Sequence, residues 1–394
     1  MFNVIAVIGA NFGDEGKGLV TDWICSTKTK PIVVLHNGGA QRAHTVTTPE
    51  GKEHIFRHIG AGAFVGADTY IAKTFVCNPI VFREEYEKLG QKLNKPIKIF
   101  IDARCKFTTF YDMIVNQARE IERGITKHGS CGLGVFETIC RYNDGSIKVK
   151  EQTINPYGIT FGEFARLNYL GKYNFLESLK KYYTEKRIDQ TGLHKLPVEL
   201  ERALMSSNAI NNFINDFDFM VKKCIVVDDL RFIEDYSDVV FENGQGLLLD
   251  QENMEYFPHL TPSHTGLYNV EEILQECGYA GFVESYFVTR TYMTRHGVGR
   301  FDTECEKKDI NPLMWDKTNV PNLFQDSLRY GRLDTNDLEQ RVEKECKNTT
   351  NAIRVYVPSL VVTHFNEYQI ALKNSMVPKY ISNGYTRERV WKPL

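Results

Sequence analysis

The sequence predicts an α/β fold with a mostly parallel central sheet and flanking helices, and three observations predict it. Short apolar runs recur without polar alternation, as strands buried on both faces do, at residues 4–8, 32–35, 97–101, 225–227, 239–241, 283–289, 360–365 and 379–381. Longer polar stretches of helical character separate several of them. The first two runs each end in a glycine-rich, polar turn, which suits the carboxyl edge of a parallel sheet, where ligands of α/β folds bind.

The first strand, Val4-Ile-Ala-Val-Ile8, leads directly into Gly9-Ala-Asn-Phe-Gly13-Asp14-Glu15-Gly16-Lys17-Gly18. A buried strand followed by a glycine-rich turn and a lysine sets backbone N–H groups and an ammonium where an anion, most often a phosphate, can sit. This is not a Walker A loop: Asn11 stands where that motif has its first Gly, and Gly18 follows the lysine where a Ser or Thr would hold Mg2+. An acid must do that work. Asp14 lies in the turn, placed to act as a metal ligand or as a base on something held beside the phosphates.

The second strand, 32–35, runs into His36-Asn37-Gly38-Gly39-Ala40-Gln41-Arg42-Ala43-His44-Thr45. A lone histidine is usually a satisfied surface residue, but beside an Asp-bearing phosphate loop His44 is a candidate for catalysis. Further on, residues 161–222 are polar and helix-like, with no turn-rich break. The expected organisation is one domain over 1–394 with a helical insertion around 160–222, and no linker, repeat or low-complexity tract. Lys180-Lys181 and Lys186-Arg187 beside Tyr182 and Tyr183 read as a solvated helix face rather than a nucleic-acid patch.

Composition fits a soluble cytoplasmic enzyme. The 394 residues carry a net charge of −2, which argues against a nucleic-acid surface. No apolar run reaches the ~20 residues of a membrane span, and the N-terminus reads as a strand, not a signal peptide. The nine cysteines, Cys131, Cys140, Cys224 and Cys305 among them, are odd in number and scattered without paired CxxC spacing, so reduced thiols are expected.

These residues resemble the adenylosuccinate synthetase family, whose fold is P-loop-like with helical insertions. GDEGKG at 13–18 matches that family's first loop. NGGAQRAHT at 37–45 is similar to its second, GGHNAGHT, with Ala40, Gln41, Arg42 and Ala43 as departures. FENGQGLLLD at 241–250 followed by TPSHT at 261–265 resembles FEGAQGTLLD and TSSNT. Thr289-Arg290 with GRFDTE at 299–304 resembles TR…GPFPTE, and ISNGYTR at 381–387 resembles ISTGPDR.

The resemblance implies a ligase that replaces the 6-oxo group of a purine nucleotide with the amine of L-aspartate. The oxygen must first become a leaving group, which phosphorylation by a nucleoside triphosphate achieves. Asp14 would accept the N1 proton, and His44 would hydrogen-bond O6 and the transferring phosphoryl. Lys17 would hold phosphates, with Mg2+ bridging them and touching Asp14 and the Ala43 carbonyl. By the same resemblance Asp14, Gln41, Gln245 and Thr261 hold the nucleoside monophosphate. In the segment 129–134, which resembles GTTGRGIG, Ser130 and Cys131 face its phosphate, Ser130 being the better donor. Arg141 would reach that phosphate across a dimer interface, which implies a homodimer. The triphosphate would contact Gly13, Glu15, Gly16, Lys17, Gly18, His44 and Thr45 in the loops, Thr363, His364 and Asn366 near its base, and Ser382, Asn383 and Gly384 in the tail. Aspartate would meet Gln325, Asp326, Ser327, Leu328 and Arg329.

The departures refine the reading. The family's guanine-binding TKLD reads Thr363-His364-Phe365-Asn366 here. Asn lacks the charge and second acceptor oxygen that suit guanine, while its mixed amide suits adenine, so ATP or dATP is the expected donor. The aspartate loop keeps Arg329 but lacks arginines that elsewhere contact substrate and a ribose hydroxyl, which points to a deoxynucleotide. These changes resemble the phage branch, which joins aspartate to dGMP to give N6-succino-2-amino-2'-deoxyadenylate for 2-aminoadenine DNA. The host cytoplasm would then be the setting. Asp14, where many phage members carry Ser, keeps adenylosuccinate synthesis from IMP as the alternative. A nucleotide switch without ligase activity is a remote third, since the chain has neither a Walker A lysine–serine pair nor an NKxD-like element. No nucleic acid and no membrane are expected as partners.

Overall fold

The computed structural model describes residues 2–124, 129–144, 147–149, 152–193, 196–314, 328–372 and 376–393. At its centre is a ten-stranded sheet. In chain order its strands are β1 (Asn3–Gly9), β2 (Pro31–Leu35), β3 (Asp68–Ile71), β4 (Ile99–Asp102), β5 (Ile225–Val227), β6 (Asp238–Gly246), β7 (Gly281–Arg290), β8 (Arg354–Thr363), β9 (Tyr380–Ser382) and β10 (Val390–Trp391). They lie in the order β5-β4-β3-β2-β6-β1-β7-β8-β9-β10. Every neighbouring pair is parallel except β9 with β10.

From β2 the chain steps outward through β3 and β4 to β5. It then returns to insert β6 between β2 and β1, and runs outward on the other side through β7, β8 and β9. The order therefore reverses at the centre of the sheet, so the loops that leave the carboxyl ends of β1, β2 and β6 frame one crevice.

The unalternating apolar runs have the expected cause. Ile5, Val7, Val33, Leu35 and Val240 pack into one core, while Val4, Ala6, Ile8, Ile32, Val34 and Phe241 pack into a second core on the opposite face. Successive residues of a strand point to opposite faces, so a sheet covered on both sides needs apolar residues at every position. Helix α1 (Lys17–Ser26) and the helices Pro79–Gly90 and Phe110–Arg123 cover the first face, and Tyr268–Glu276 and Thr335–Thr349 cover the second.

Between β4 and β5 the chain forms the helices Phe161–Arg166, Tyr169–Tyr182, Val198–Met205 and Ser207–Lys223. Their buried residues, among them Phe164, Leu179, Phe213 and Phe217, belong to the first-face core. Two sheet strands went unread in the sequence: β3 opens on a charged residue, and β10 has only two residues. The run at 360–365 also overshoots. β8 ends at Thr363, because His364 turns into the left-handed region at φ 52.

Candidate active site

The first loop is held by hydrogen bonds to distant parts of the chain. Gly13 (φ 120), Asp14 (φ 60) and Gly16 (φ 90) occupy the left-handed side of backbone space, which glycine adopts freely and Asp tolerates better than most residues. Helix α1 starts at Lys17 with Gly16 as its N-cap. Contacts from distant parts of the chain pin the loop, five of them on its carbonyl oxygens. Leu248 N–H donates to Asn11 O (3.0 Å), Arg341 Nε to Ala10 O (2.8 Å), Arg290 Nε to Asp14 O (2.5 Å), Thr294 Oγ1 to Gly13 O (3.2 Å) and Thr363 Oγ1 to Glu15 O (2.7 Å).

Inside the loop, the buried Glu15 carboxylate accepts from Gly13 N–H (2.8 Å), Asn11 N–H (3.1 Å) and Lys17 Nζ (2.7 Å). A carboxylate thus occupies the nest of N–H groups and ammonium that the sequence suggests for an oxyanion. Gly9 makes room for it: a Cβ there would lie 2.6 Å from Glu15 Oε2 and 2.8 Å from Lys17 Nζ.

The second loop locks onto the end of β6. Asn37 Nδ2 donates to Asn243 Oδ1 (2.7 Å), Gly244 N–H donates to Asn37 Oδ1 (2.8 Å), and Gly38 N–H donates to Ser263 Oγ (3.2 Å). At its end, Glu242 Oε1 accepts from His44 Nδ1 (2.5 Å) and from Arg42 Nη2 (2.8 Å), while Glu242 Oε2 accepts from Ala61 N–H (3.0 Å). Burial opposes ionisation of Glu242, but Arg42, His44 and the Ala61 N–H outweigh it and hold its carboxyl below the usual range. Burial, then the Arg42 charge, lowers the His44 pKa to about 4, against the pull of Glu242. His44 is therefore neutral at pH 7. Its Nδ1 carries the hydrogen that Glu242 accepts, and its buried Nε2, which has no hydrogen-bond partner among the described residues, carries a lone pair.

The structure gathers the ordered motifs at one sheet edge. His44 backs onto Gly18, where a Cβ would lie 2.9 Å from its own Cβ, and the Lys17 charge acts on it. Gly129 packs on Gly297, and Phe365 N–H donates to Ser382 O (2.9 Å), which joins the tail to the turn after β8. Ala43, Asn366 and Asn383 are exposed, Thr45, Gln41, Gln245 and Gly384 half-buried, and Thr261 buried. Asn366 lines a cavity of about 570 Å³ with Ile310 and residues 365–370. The Ser130 hydroxyl accepts from Asn116 Nδ2 (2.8 Å), and burial pushes the Cys131 thiol up. All nine cysteines are free thiols.

Two expectations meet a different geometry. Arg141 is fully buried within its own chain, which corrects the expectation that it reaches another subunit. Its Nε and Nη2 meet the two Asp112 oxygens at 3.0 Å each, Nη1 donates to Tyr157 O (2.6 Å), and Nη2 also donates to Phe107 O (2.7 Å). Arg329, expected to clamp a carboxylate of aspartate, is already bidentate on Glu304, and its Nη1 donates to Gly297 O and Gly299 O. Leu328 is buried, and Gln325, Asp326 and Ser327 lie outside the described residues.

Among the described residues no three His, Cys, Asp or Glu side chains converge to hold a metal. Of the two residues expected to touch Mg2+, Asp14 has a partly exposed carboxylate and Ala43 is exposed, which is compatible with an ion held chiefly by phosphate oxygens.

Sequence reading missed three side chains of this site. Glu242 carried a signal, a charged residue ending an apolar strand just before Asn-Gly. Arg42 carried a weaker one as a departure inside a glycine-rich loop. His296, whose Nε2 is 3.3 Å from Asp14 Oδ2, carried none.

Comparison with known proteins agrees with this architecture. The family model described as adenylosuccinate synthetase matches residues 6–356. The adenylosuccinate synthetase of Marinomonas sp. (strain MWYL1) is 26% identical over 314 residues, 77% of this chain and 66% of that protein. That of Blochmanniella pennsylvanica (strain BPEN) is 29% identical over 322 residues, 79% of this chain and 67% of that protein. The match thus spans about two thirds of the length of these curated relatives. Among solved structures, the fully ligated adenylosuccinate synthetase from Plasmodium falciparum superposes with TM-score 0.73 at 17% identity, covering all of both chains. The cyanophage S-2L succinoaminodeoxyadenylate synthetase bound to dGMP and dATP superposes with TM-score 0.64 at 13% identity, covering all of this chain and 95% of that one. At such identities the two structures establish the fold: an α/β architecture around a large, mostly parallel sheet.

Proposed function

Because the chain belongs to the adenylosuccinate synthetase family, we propose that it is a carbon–nitrogen ligase that condenses L-aspartate with dGMP at the expense of ATP or dATP. The observation that carries the ligase chemistry is the pairing of two loops on one sheet edge. Asp14 lies on the first, and His44, oriented by Glu242, lies on the second, with Lys17 between them in the chain path.

The steps follow from those groups. Asp14 takes the N1 proton of the 6-oxopurine as O6 attacks the γ-phosphorus of the donor, which gives a 6-phosphoryl nucleotide and a nucleoside diphosphate. His44 Nε2 is the ring atom left to face O6 and the transferring phosphoryl. Phosphate charge beside it favours the protonated, donating form. Lys17 exchanges its Glu15 partner for a phosphate oxygen. The α-amine of aspartate then attacks C6, phosphate leaves, and the product is N6-succino-2-amino-2'-deoxyadenylate. Asp14 and the Ala43 carbonyl would hold Mg2+, which when bound offsets phosphate charge.

Three features support dGMP and an adenine donor. Asn366 lines an open cavity with an amide that suits adenine. The loop after residue 324 has lost arginines. A fold-level neighbour carries dGMP and dATP. We place the enzyme in the cytoplasm; with Arg141 buried in its own chain, the expected homodimer rests on the family alone. A second reading, adenylosuccinate formation from IMP, is favoured by the acid at Asp14 and by the names of the sequence relatives.

Phosphate release measured with L-aspartate, Mg2+ and ATP, comparing dGMP, GMP, IMP and dIMP, tests both. A kcat/KM at least ~10-fold higher for dGMP than for IMP is expected, the scale of one matched hydrogen bond. A preference for IMP establishes the second reading, and no release with any nucleotide removes the ligase itself.

A further inference from the structure

Resting on the ligase reading but not on the choice of base, we propose that Arg57 is the cation that binds the 5'-phosphate of the nucleoside monophosphate, through its Nε and Nη2. Arg42, Arg141 and Arg329 are each engaged by a carboxylate of their own chain. Arg57 has no such partner among the described residues, although its side chain is half-buried. A cation drawn out of water without a counter-ion is costly unless a ligand supplies one.

Both ends of this side chain are fixed. Arg57 follows the strand Glu53–Phe56, which pairs antiparallel with His44–Thr47 so that Phe56 faces His44. The next residue is therefore set against the second loop. The buried Glu85 carboxylate accepts from the N–H groups of Arg57 (2.8 Å), His58 (2.6 Å) and Ile59 (3.2 Å), which holds the backbone. At the far end Nη1 donates to Ala40 O (2.7 Å) and Arg42 O (3.2 Å), the carbonyls of the residues on either side of Gln41. With Nη1 anchored there, Nε and Nη2 remain as the edge of the guanidinium that can grip two oxygens of one phosphate. Neither has a hydrogen-bond partner among the described residues.

The other groups expected at that phosphate converge on the same place. A Cβ on Gly39 would lie 3.1 Å from Val135 Cγ2, so the second loop packs against the start of the helix Val135–Asn143, which the 129–134 loop enters. Burial raises the Cys131 thiol's pKa and the Arg57 charge works against that rise, so this charge reaches the loop. Ser130 Oγ accepts from Asn116 Nδ2, which leaves its own hydrogen to donate. Arg57 thus supplies beside Gln41 and Ser130 the positive charge that Arg141, closed in on Asp112, does not.

The test is steady-state kinetics of the wild-type enzyme, Arg57→Met and Arg57→Lys, with thermal melts to confirm folding. The varied nucleotide is whichever of dGMP and IMP the wild-type enzyme prefers. In Arg57→Met its KM is expected to rise at least ~10-fold, the scale of a lost charge-assisted hydrogen bond, while the KM values for ATP and L-aspartate stay within about twofold. Arg57→Lys keeps the charge and is expected to regain most of the loss. A fall in kcat without a rise in that KM, or a rise in all three KM values together, would mean that Arg57 only braces the second loop. Unchanged constants would mean that it meets no substrate. Each of these overturns the inference while the ligase reading stands. No phosphate release by the wild-type enzyme with any nucleotide is instead the failure of the ligase reading, and takes this inference with it. Should Arg57→Met not fold, Arg57→Gln serves in its place.

Discussion

Glu242 and His44 stand 198 positions apart in the chain and 2.5 Å apart in space, Oε1 to Nδ1. The contact exists because β6 inserts beside β2, which brings the end of one strand against the loop that leaves the other. It fixes the tautomer of the imidazole and shares its acceptor with the buried Arg42.

Glu242→Gln keeps the side-chain shape and removes the charge on which Arg42 and His44 converge. Stability is expected to fall by about 3–5 kcal/mol, because a buried guanidinium loses its counter-ion. Urea unfolding measures this. A variant as stable as the wild type would show that Arg42 is balanced elsewhere.

Asp14→Ala and His44→Ala are each expected to reduce turnover at least ~100-fold, the usual scale for losing acid–base help, in a chain that stays folded. Steady-state phosphate release with circular dichroism checks both. Near-normal turnover in either variant removes the proposed mechanism.

Arg141→Ala acts on the fold. With its partner gone, Asp112 is left as an unbalanced charge in the core beside Tyr183, and the loss is expected to be about 3–5 kcal/mol. Sedimentation of the wild-type enzyme separately decides the homodimer. A stable Arg141→Ala protein with only a raised KM for the monophosphate would restore a direct role in binding.

His36 is fully buried against Phe241, with neither ring nitrogen hydrogen-bonded among the described residues, and burial followed by the Arg42 charge lowers its pKa to about 3. The folded chain resists protonation there, whereas the unfolded chain protonates near pH 6.5. Its contribution to stability is therefore complete above pH 6.5, and is lost as pH falls towards 3. His36→Phe should remove that loss, of order 4 kcal/mol, and flatten stability between pH 6.5 and 3. Denaturation at pH 7 and pH 4 tests this, and an unchanged difference between the two would sink it.

ATP or dATP should support the reaction and GTP should do so poorly, by roughly ten- to hundred-fold, because a mismatched base leaves polar groups unsatisfied. Asn366→Asp should move the preference towards GTP, limited by His364, which is paired with Glu367 at 2.7 Å. The decisive quantity is kcat/KM for ATP against GTP. Equal values in the wild-type enzyme would show that Asn366 does not read the base.

The sequence by itself determined the α/β class, most of the strands and the loops that carry the site. Those features are local: a run such as residues 32–35 must be covered on both faces, and Gly13, Asp14 and Gly16 can take a left-handed turn wherever the chain goes afterwards. Asp14, Lys17 and His44 became candidates for that reason. Only the tertiary structure decided which charges meet. Arg141 looked available for a ligand until the fold set Asp112 against it, and Arg329 until Glu304 took its guanidinium. His296 had no meaning until the turn after Tyr292–Arg295 carried it to Asp14. Local pattern specifies burial and turns, whereas ion-pair partners are chosen by which distant strands become neighbours, and that depends on packing of the whole sheet.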